Sequence, residues 1–277
     1  MNIGGHDVGV CSWSLQPADT ADLVAQMGKL SLRHVQLAIG PLVEMDERRR
    51  EQELAQLREA GIIVTAGMMA FPGEDYASIA IIRDTGGFLP DKSWPERRDA
   101  MKQAGKIVAQ MGVSLLSVHV GFVPPSNDNR YVAALKRIRE LAAALAEVQV
   151  DLLMETGQER GAELLQFLND VAARNVVVNF DPANMILYGA GDPIEAVRVL
   201  GRHIRHVHVK DATLSKQPGV IWGEEVPFGT GEVGAGRFLT ALKAVGYSGA
   251  LAIEREAGSS RLEDVRTAIE SLRSAAG

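Results

Sequence analysis

Hydrophobic positions along the chain follow two alternating periods. Short apolar or β-branched runs occupy Val8–Trp13, His34–Ile39, Ile62–Met68, Leu115–Val120, Asp151–Thr156, Val176–Asp181, Ile204–Asp211 and Gly249–Glu254. Runs of this length and composition predict strands. Amphipathic stretches lie between them at Ala21–Leu30, Glu47–Ala60, Glu96–Met111, Arg130–Val148, Ala162–Ala173, Ile194–Gly201, Gly236–Val245 and Arg261–Ala275. In the first of these, Leu23, Val24, Met27 and Leu30 fall on one helix face. Strands alternating with helices imply parallel strands joined by crossovers. Eight such units predict a closed (β/α)8 TIM barrel, one α/β domain over residues 1–277. An open doubly wound sheet is the competing architecture, and it places a Gly-rich turn after its first strand. Here Ser14-Leu-Gln-Pro17 stands in that place, so the barrel is preferred.

Two strand-to-helix connections are long, 69–95 and 212–235. Both leave strand C-termini, the face of a barrel that carries chemistry, and connections beyond about 12–15 residues there serve as lids or binding loops. The stretch Tyr76–Arg83 predicts a short extra helix. The second connection, with Trp222 and several glycines, is expected to be a mobile lid.

Composition removes several alternatives. With 46% hydrophobic and 23% charged residues the chain is not of a disordered type. Its single Cys excludes a disulfide scaffold and a Cys-rich zinc site. A net charge of −6 offers phosphate backbones no broad attraction, so no nucleic-acid partner is expected. Apolar runs such as Val113–Val118 are far shorter than the roughly 20 residues of a membrane span. Met1–Asp7 has neither a basic nor an apolar signal region, so a cytoplasmic protein is expected, with no membrane partner. A homodimer is the expected assembly.

Candidate chemistry sits where apolar strands end. Glu155 closes the fifth run, Asp181 the sixth and Glu254 the eighth; His208, Lys210 and Asp211 close the seventh. A buried lone carboxylate is disfavoured unless paired or bound to a metal. Three of them converging would repel one another, and a divalent cation relieves that repulsion. Strand parity places Asn179 with Asp181, and His206 with His208, on shared faces. If Asp181 and His208 point inward at the mouth, Asn179 and His206 lie a layer deeper, His206 as a hydrogen-bonded core histidine. Asp211 reads as a helix N-cap or a partner of Lys210.

The order Glu, Asp, His, Glu on strands five to eight resembles the xylose isomerase-like TIM-barrel superfamily, in particular the sugar phosphate isomerase/epimerase family with its ketohexose 3-epimerases. Further matches are Phe180-Asp-Pro-Ala-Asn184, His206-Val-His-Val-Lys-Asp211, Gly229-Thr-Gly-Glu-Val233 and Gly246-Tyr-Ser-Gly-Ala-Leu-Ala-Ile-Glu254. The likeness spans essentially the whole chain and is strongest from 150 to 256. It implies metal ligands at Glu155, Asp181, His208 and Glu254. Three oxygens and one imidazole suit one divalent metal ion, Mn²⁺ first, with Mg²⁺, Co²⁺ or Zn²⁺ as alternatives. Three departures mark different substrate contacts. Asn184 replaces a His of the 3-epimerases, Gly161 a second Glu and Leu214 an Arg. His119 stands where a multi-zinc branch carries a ligand, but no His closes the third run, so one metal is expected.

The resemblance implies a sugar or polyol substrate and an enediolate, with Glu155 and Glu254 as the catalytic acid/base pair. Trp13, His119, Asn184, Lys210 and Trp222 are the candidate substrate contacts, and Trp94 is a third tryptophan able to stack on a sugar. Gly229, Gly231 and Gly234 could cradle a phosphate, with Arg160 or Arg255 reaching an anion, but turn formation is the commoner reason for such glycines, and a non-phosphorylated substrate is favoured. A lyase dehydrating a cyclitol or dehydroshikimate-like ring is the runner-up. A barrel that binds metal or sugar without turnover is the third reading.

Overall fold

The computed structural model describes all residues, 1–277. Eight parallel strands form the barrel: β1 (His6–Cys11), β2 (His34–Ala38), β3 (Ile63–Met69), β4 (Leu115–Val118), β5 (Asp151–Glu155), β6 (Val176–Phe180), β7 (Ile204–Val209) and β8 (Leu251–Ile253). Each pairs with the next in sequence order. β8 pairs with β1 through Leu251–Val8 and Ile253–Val10, which closes the ring. A helix follows each strand on the outside: α1 (Thr20–Lys29), α2 (Glu47–Glu59), α3 (Trp94–Gln110), α4 (Arg130–Ala146), α5 (Gly161–Val171), α6 (Pro193–Leu200), α7 (Ala235–Ala244) and α8 (Arg261–Ala276). Valines and leucines of the strands are buried on both sides, as a parallel sheet covered by helices requires. They join the inner helix faces in one apolar cluster of 64 buried residues, continuous around the ring.

The strands are shorter than the apolar runs suggest. β1 stops at Cys11, and Trp13 lies in a 3-10 turn, Ser12–Leu15. β4 stops at Val118, leaving His119 just beyond it. The seventh run divides: β7 ends at Val209, and Asp211–Thr213 pairs instead with Glu224–Val226 in a small antiparallel ribbon above the barrel. These breaks come where the chain leaves the ladder to aim a side chain into the mouth. β6 shows the local reason. Asp181 caps the helix Pro182–Tyr188 through Asn184 N, and Pro182 at its first turn enforces the bend.

The connection 69–95 contains the helix Ile79–Thr85, close to the short helix expected. Buried Arg97 of α3 straps this loop down, donating to the carbonyls of Thr85, Gly87 and Pro72 at 2.8, 2.6 and 3.3 Å. Gly87 and Gly121 allow the loop to lie directly on the end of β4. A Cβ on Gly87 would fall 2.1 Å from the Gly121 nitrogen, and both residues have positive φ. Trp94 starts α3, packs edge-on to Phe88 and carries Arg137 over its ring, so it is a packing residue and not a sugar contact.

Candidate metal centre and active site

Glu155, Asp181, His208 and Glu254 meet at the C-terminal mouth of the barrel, all buried, with one ligand-type atom of each within 4.8 Å of the others. His208 Nδ1 lies 3.3 Å from a carboxylate oxygen of each of the three acids. Atoms bound at 2.0–2.1 Å to a small divalent cation stand about 3.0–3.4 Å apart, so this spacing fits one. The charges fit as well. Three buried carboxylates share one nearby lysine, Lys210, which donates to Glu254 at 2.7 Å and also to Glu256 at 2.6 Å. Glu155 Oε2 is buried with no hydrogen-bond partner. A cluster so rich in negative charge is costly without a cation.

The imidazole is set for ligation. His208 Nε2 lies 2.5 Å from Gln36 Oε1, a donor–acceptor pair that leaves Nδ1 to the carboxylates. Beneath it the Asn179 amide lies 3.0 Å from His208 Nε2 and 3.0 Å from His206 Nδ1. His206 in turn meets Thr65 Oγ1 at 3.0 Å. Burial, aided by His208, pushes the His206 pKa down to about 3, so this ring is neutral and structural, as strand parity suggests. Burial would lower the His208 pKa too, but Glu254, Cys11, Glu155 and the Asp181 hydrogen bond together raise it well above its ordinary value.

The expected substrate contacts surround a cavity of about 770 Å³ over this centre. Trp13 Nε1 donates to Glu254 Oε1 at 2.8 Å. Asn184 Nδ2 donates to Glu155 Oε1 at 3.0 Å, and Asn184 Oδ1 accepts from Lys210 Nζ at 3.3 Å. His119 Nε2 stands 3.5 Å from Glu155 Oε2. Trp222 reaches the cavity wall packed on Tyr188, with ring centroids 4.6 Å apart. All five residues line this one space.

Asp211 departs from both readings given to it. Its carboxylate accepts from the backbone amides of Ala212, Gly229, Gly231 and Val233 at 2.9–3.1 Å. It thus fills, from within the chain, the amide nest that a phosphate would have used, and it ties down the stem of the 212–235 connection. The Gly223 amide donates to Leu187 O and fixes that loop a second time. The tip packs down as well: a Cβ on Gly189 would fall 2.7 Å from Gly219 N and from Pro218 Cβ. Arg255 is committed to Glu225 and Asp264 at 2.7 and 2.8 Å, and Arg160 lies at the start of α5, outside the cavity lining.

Four contributors went unforeseen. Gln36 and Glu256 hold His208 and Lys210, and Gln36 stands out in the sequence as an amide inside the apolar run of β2. Cys11 lies under the quartet, within reach of His208 and Glu254. Burial pushes its thiol pKa up to about 12, so it is a neutral donor to Gln36 Oε1 rather than a thiolate ligand. Glu159, buried, accepts from Val123 N at 2.8 Å, and burial raises its pKa to about 7.

The family model for the xylose isomerase-like TIM barrel matches residues 15–275. The chain belongs to this family. The xylose isomerase domain protein of Planctomyces limnophilus is 33% identical, with 98% of this chain and 96% of that one covered and a TM-score of 0.88. A xylose isomerase-like TIM barrel protein of Mycobacterium smegmatis, solved in complex with magnesium, has a TM-score of 0.75 at 15% identity over 100% of both chains. The 3-keto-D-glucoside 4-epimerase YcjR of E. coli has a TM-score of 0.73 at 14% identity, with 97% and 99% of the chains covered. The last two share the fold. Among curated relatives, the uncharacterized Bacillus subtilis protein YfiH is 33% identical over 129 residues, which is 40% of this chain and 41% of YfiH, so the match spans less than half of that relative. No helix is long and apolar enough to cross a membrane.

Proposed function

We propose that the protein is a divalent-metal-dependent sugar isomerase or epimerase, moving a proton at the carbon beside a carbonyl of a keto-sugar or polyol through an enediolate. The observation that carries this reading is the meeting of three buried carboxylates on His208 Nδ1 at 3.3 Å, on the floor of an open cavity. Mn²⁺ suits the three-oxygen, one-nitrogen donor set, with Mg²⁺, Co²⁺ or Zn²⁺ as substitutes; a cation held there acidifies the proton next to a polarised carbonyl.

The chain's own groups do the proton work. Glu155 keeps one carboxylate oxygen without a partner, and Asn184 holds the other at 3.0 Å, so the group is oriented and still able to accept a proton. Burial would raise the Glu254 pKa, but His208 and Lys210 outweigh it and lower it, which keeps Glu254 ionised. Trp13 fixes its second oxygen. The two acids come from β5 and β8, on separate sides of the mouth, as a base and an acid working on opposite faces require. His119 and Lys210, two nitrogen groups beside the same cavity, favour a dehydratase as the second reading, since either can protonate a departing hydroxyl.

Keto-sugars and cyclitols incubated with Mn²⁺-loaded protein in heavy water test this by NMR. Deuterium at the carbon next to the carbonyl, with an epimer or isomer formed, is the expected result. A dehydrated enone instead selects the lyase. No exchange with any of these compounds contradicts both.

A further inference from the structure

The cavity is larger and more apolar than a bare sugar needs. Clefts of roughly 300–1,000 Å³ hold drug-sized ligands, and about 770 Å³ lies in the upper part of that range. Its polar groups gather on one side: His119, Asn184, Lys210 and Glu254 stand against the metal centre. The wall leading outward holds Met68, Phe71, Pro72, Tyr76, Tyr188 and Trp222. A free hexose carries hydroxyls around its whole edge; this wall offers them only isolated polar tips on Tyr76, Tyr188 and Trp222, set in apolar rings beside Met68, Phe71 and Pro72.

The outer part of the apolar wall is built apart from the barrel core, while Phe71 joins the core. Ile79 and Ile82 of the 69–95 loop pack with Tyr188, Phe122 and Trp222 as an apolar cluster of their own. Phe122 meets Tyr188 edge-on at 5.5 Å on the side of that ring cluster that Trp222 completes at 4.6 Å. Both long loops thus contribute to one aromatic shelf. Exposed apolar side chains continue on the same two loops: Tyr76 is 45% exposed, Leu214 47%, Val220 67% and Ile221 52%. Of these, Tyr76 also lines the cavity.

We propose that the substrate is a glycoside, its sugar ring on the metal centre and an apolar, ring-sized aglycone along Phe71, Tyr76, Tyr188 and Trp222. This rests on the sugar reading above and adds the second half of the ligand. Aromatic walls suit a flat aglycone, which stacks on them and leaves water together with them. Tyr76 and Trp222 are the specificity-determining residues.

Calorimetric titration with phenyl β-D-glucopyranoside, methyl β-D-glucopyranoside and phenol tests the inference, with and without Mn²⁺. The phenyl glycoside should bind at least tenfold more tightly than the methyl glycoside, and more tightly than phenol. Trp222→Ala should bring the ratio close to one. Tyr76→Ser, at a side chain 45% exposed, should lower it several-fold. Equal affinities for the two glycosides, a preference that survives both substitutions, phenol binding as well as the phenyl glycoside, or no binding by either glycoside overturns the proposal. The ratio in metal-free protein reads the apolar subsite alone. A failure of the apolar subsite is therefore told apart from a failure of the metal or proton-exchange experiments.

Discussion

On the β5–β8 side of the mouth, the groups that matter are rooted in strands or sit within a residue or two of them: Glu155, Asp181, His208, Lys210 and Glu254. The remaining groups hang on loops and turns: Trp13, Phe71, Tyr76 and His119 after β1, β3 and β4, and Trp222 on the loop after β7. The first set is charged and buried, the second mainly aromatic and partly open. The difference follows from what each must do. Charges brought to within 3.3 Å of one another need neighbours that cannot move, and a hydrogen-bonded barrel supplies them. A wall that meets an apolar shape can be carried by loops, provided something fastens them. Arg97 and the Gly87–Gly121 contact fasten one, and the Asp211 carboxylate fastens the other.

The largest effect that separates the two sides is on turnover. Glu155→Gln and Glu254→Gln keep size and one oxygen, and each should lower turnover at least ~10²-fold, the low end for a lost acid or base. Wild-type-like turnover in either, with metal still bound, removes that residue from the acid/base role. One of the two variants is expected to retain deuterium exchange on a single face of the substrate.

Stability against pH probes the support beneath the charged side. His206 has its pKa lowered in the folded protein to about 3 from 6.5, so the stability it contributes is complete above pH 6.5 and is lost as pH falls through 3. The span corresponds to roughly 5 kcal/mol. His206→Gln should flatten this part of the acid limb in denaturant melts, and an unchanged slope between pH 6 and 4 would show that the ring titrates normally.

The loop side should break at its strap. Arg97→Met leaves three carbonyls without their donor and should cost about 3 kcal/mol, seen as a melting temperature lowered by roughly 6–12 °C. A smaller shift of opposite sign is expected at Glu159. Its folded pKa is raised to about 7, so the protein loses stability as pH rises from 4.5 through 7. Glu159→Gln keeps an acceptor for Val123 N and should gain about 1–3 kcal/mol at pH 8 with no gain at pH 4. Equal stability of the two proteins at pH 8 contradicts the raised pKa.

The same division explains what could be read from the sequence. Alternating periods disclose the barrel because each element buries one face. Glu155, Asp181, His208 and Glu254 stand out because each follows an apolar run whose parity places it inward. Asp211 looks alike in sequence, yet its partners are backbone amides up to 22 residues further on, and no side-chain pattern announces an amide nest. Trp94 and Trp222 are equally plain tryptophans in long loops. Only the path of the chain decides that one packs on Phe88 and the other on Tyr188 over the cavity. Glu256 is an acid near a strand end like many others until Lys210 is seen between it and Glu254.

The central claim is that the quartet holds one divalent cation. Elemental analysis of Mn²⁺-loaded, desalted protein, beside the His208→Ala variant, tests it most directly. About one equivalent per chain in the wild type, with most of it lost in the variant, is the predicted result. No bound metal in the wild type, or undiminished metal in His208→Ala, would contradict the claim.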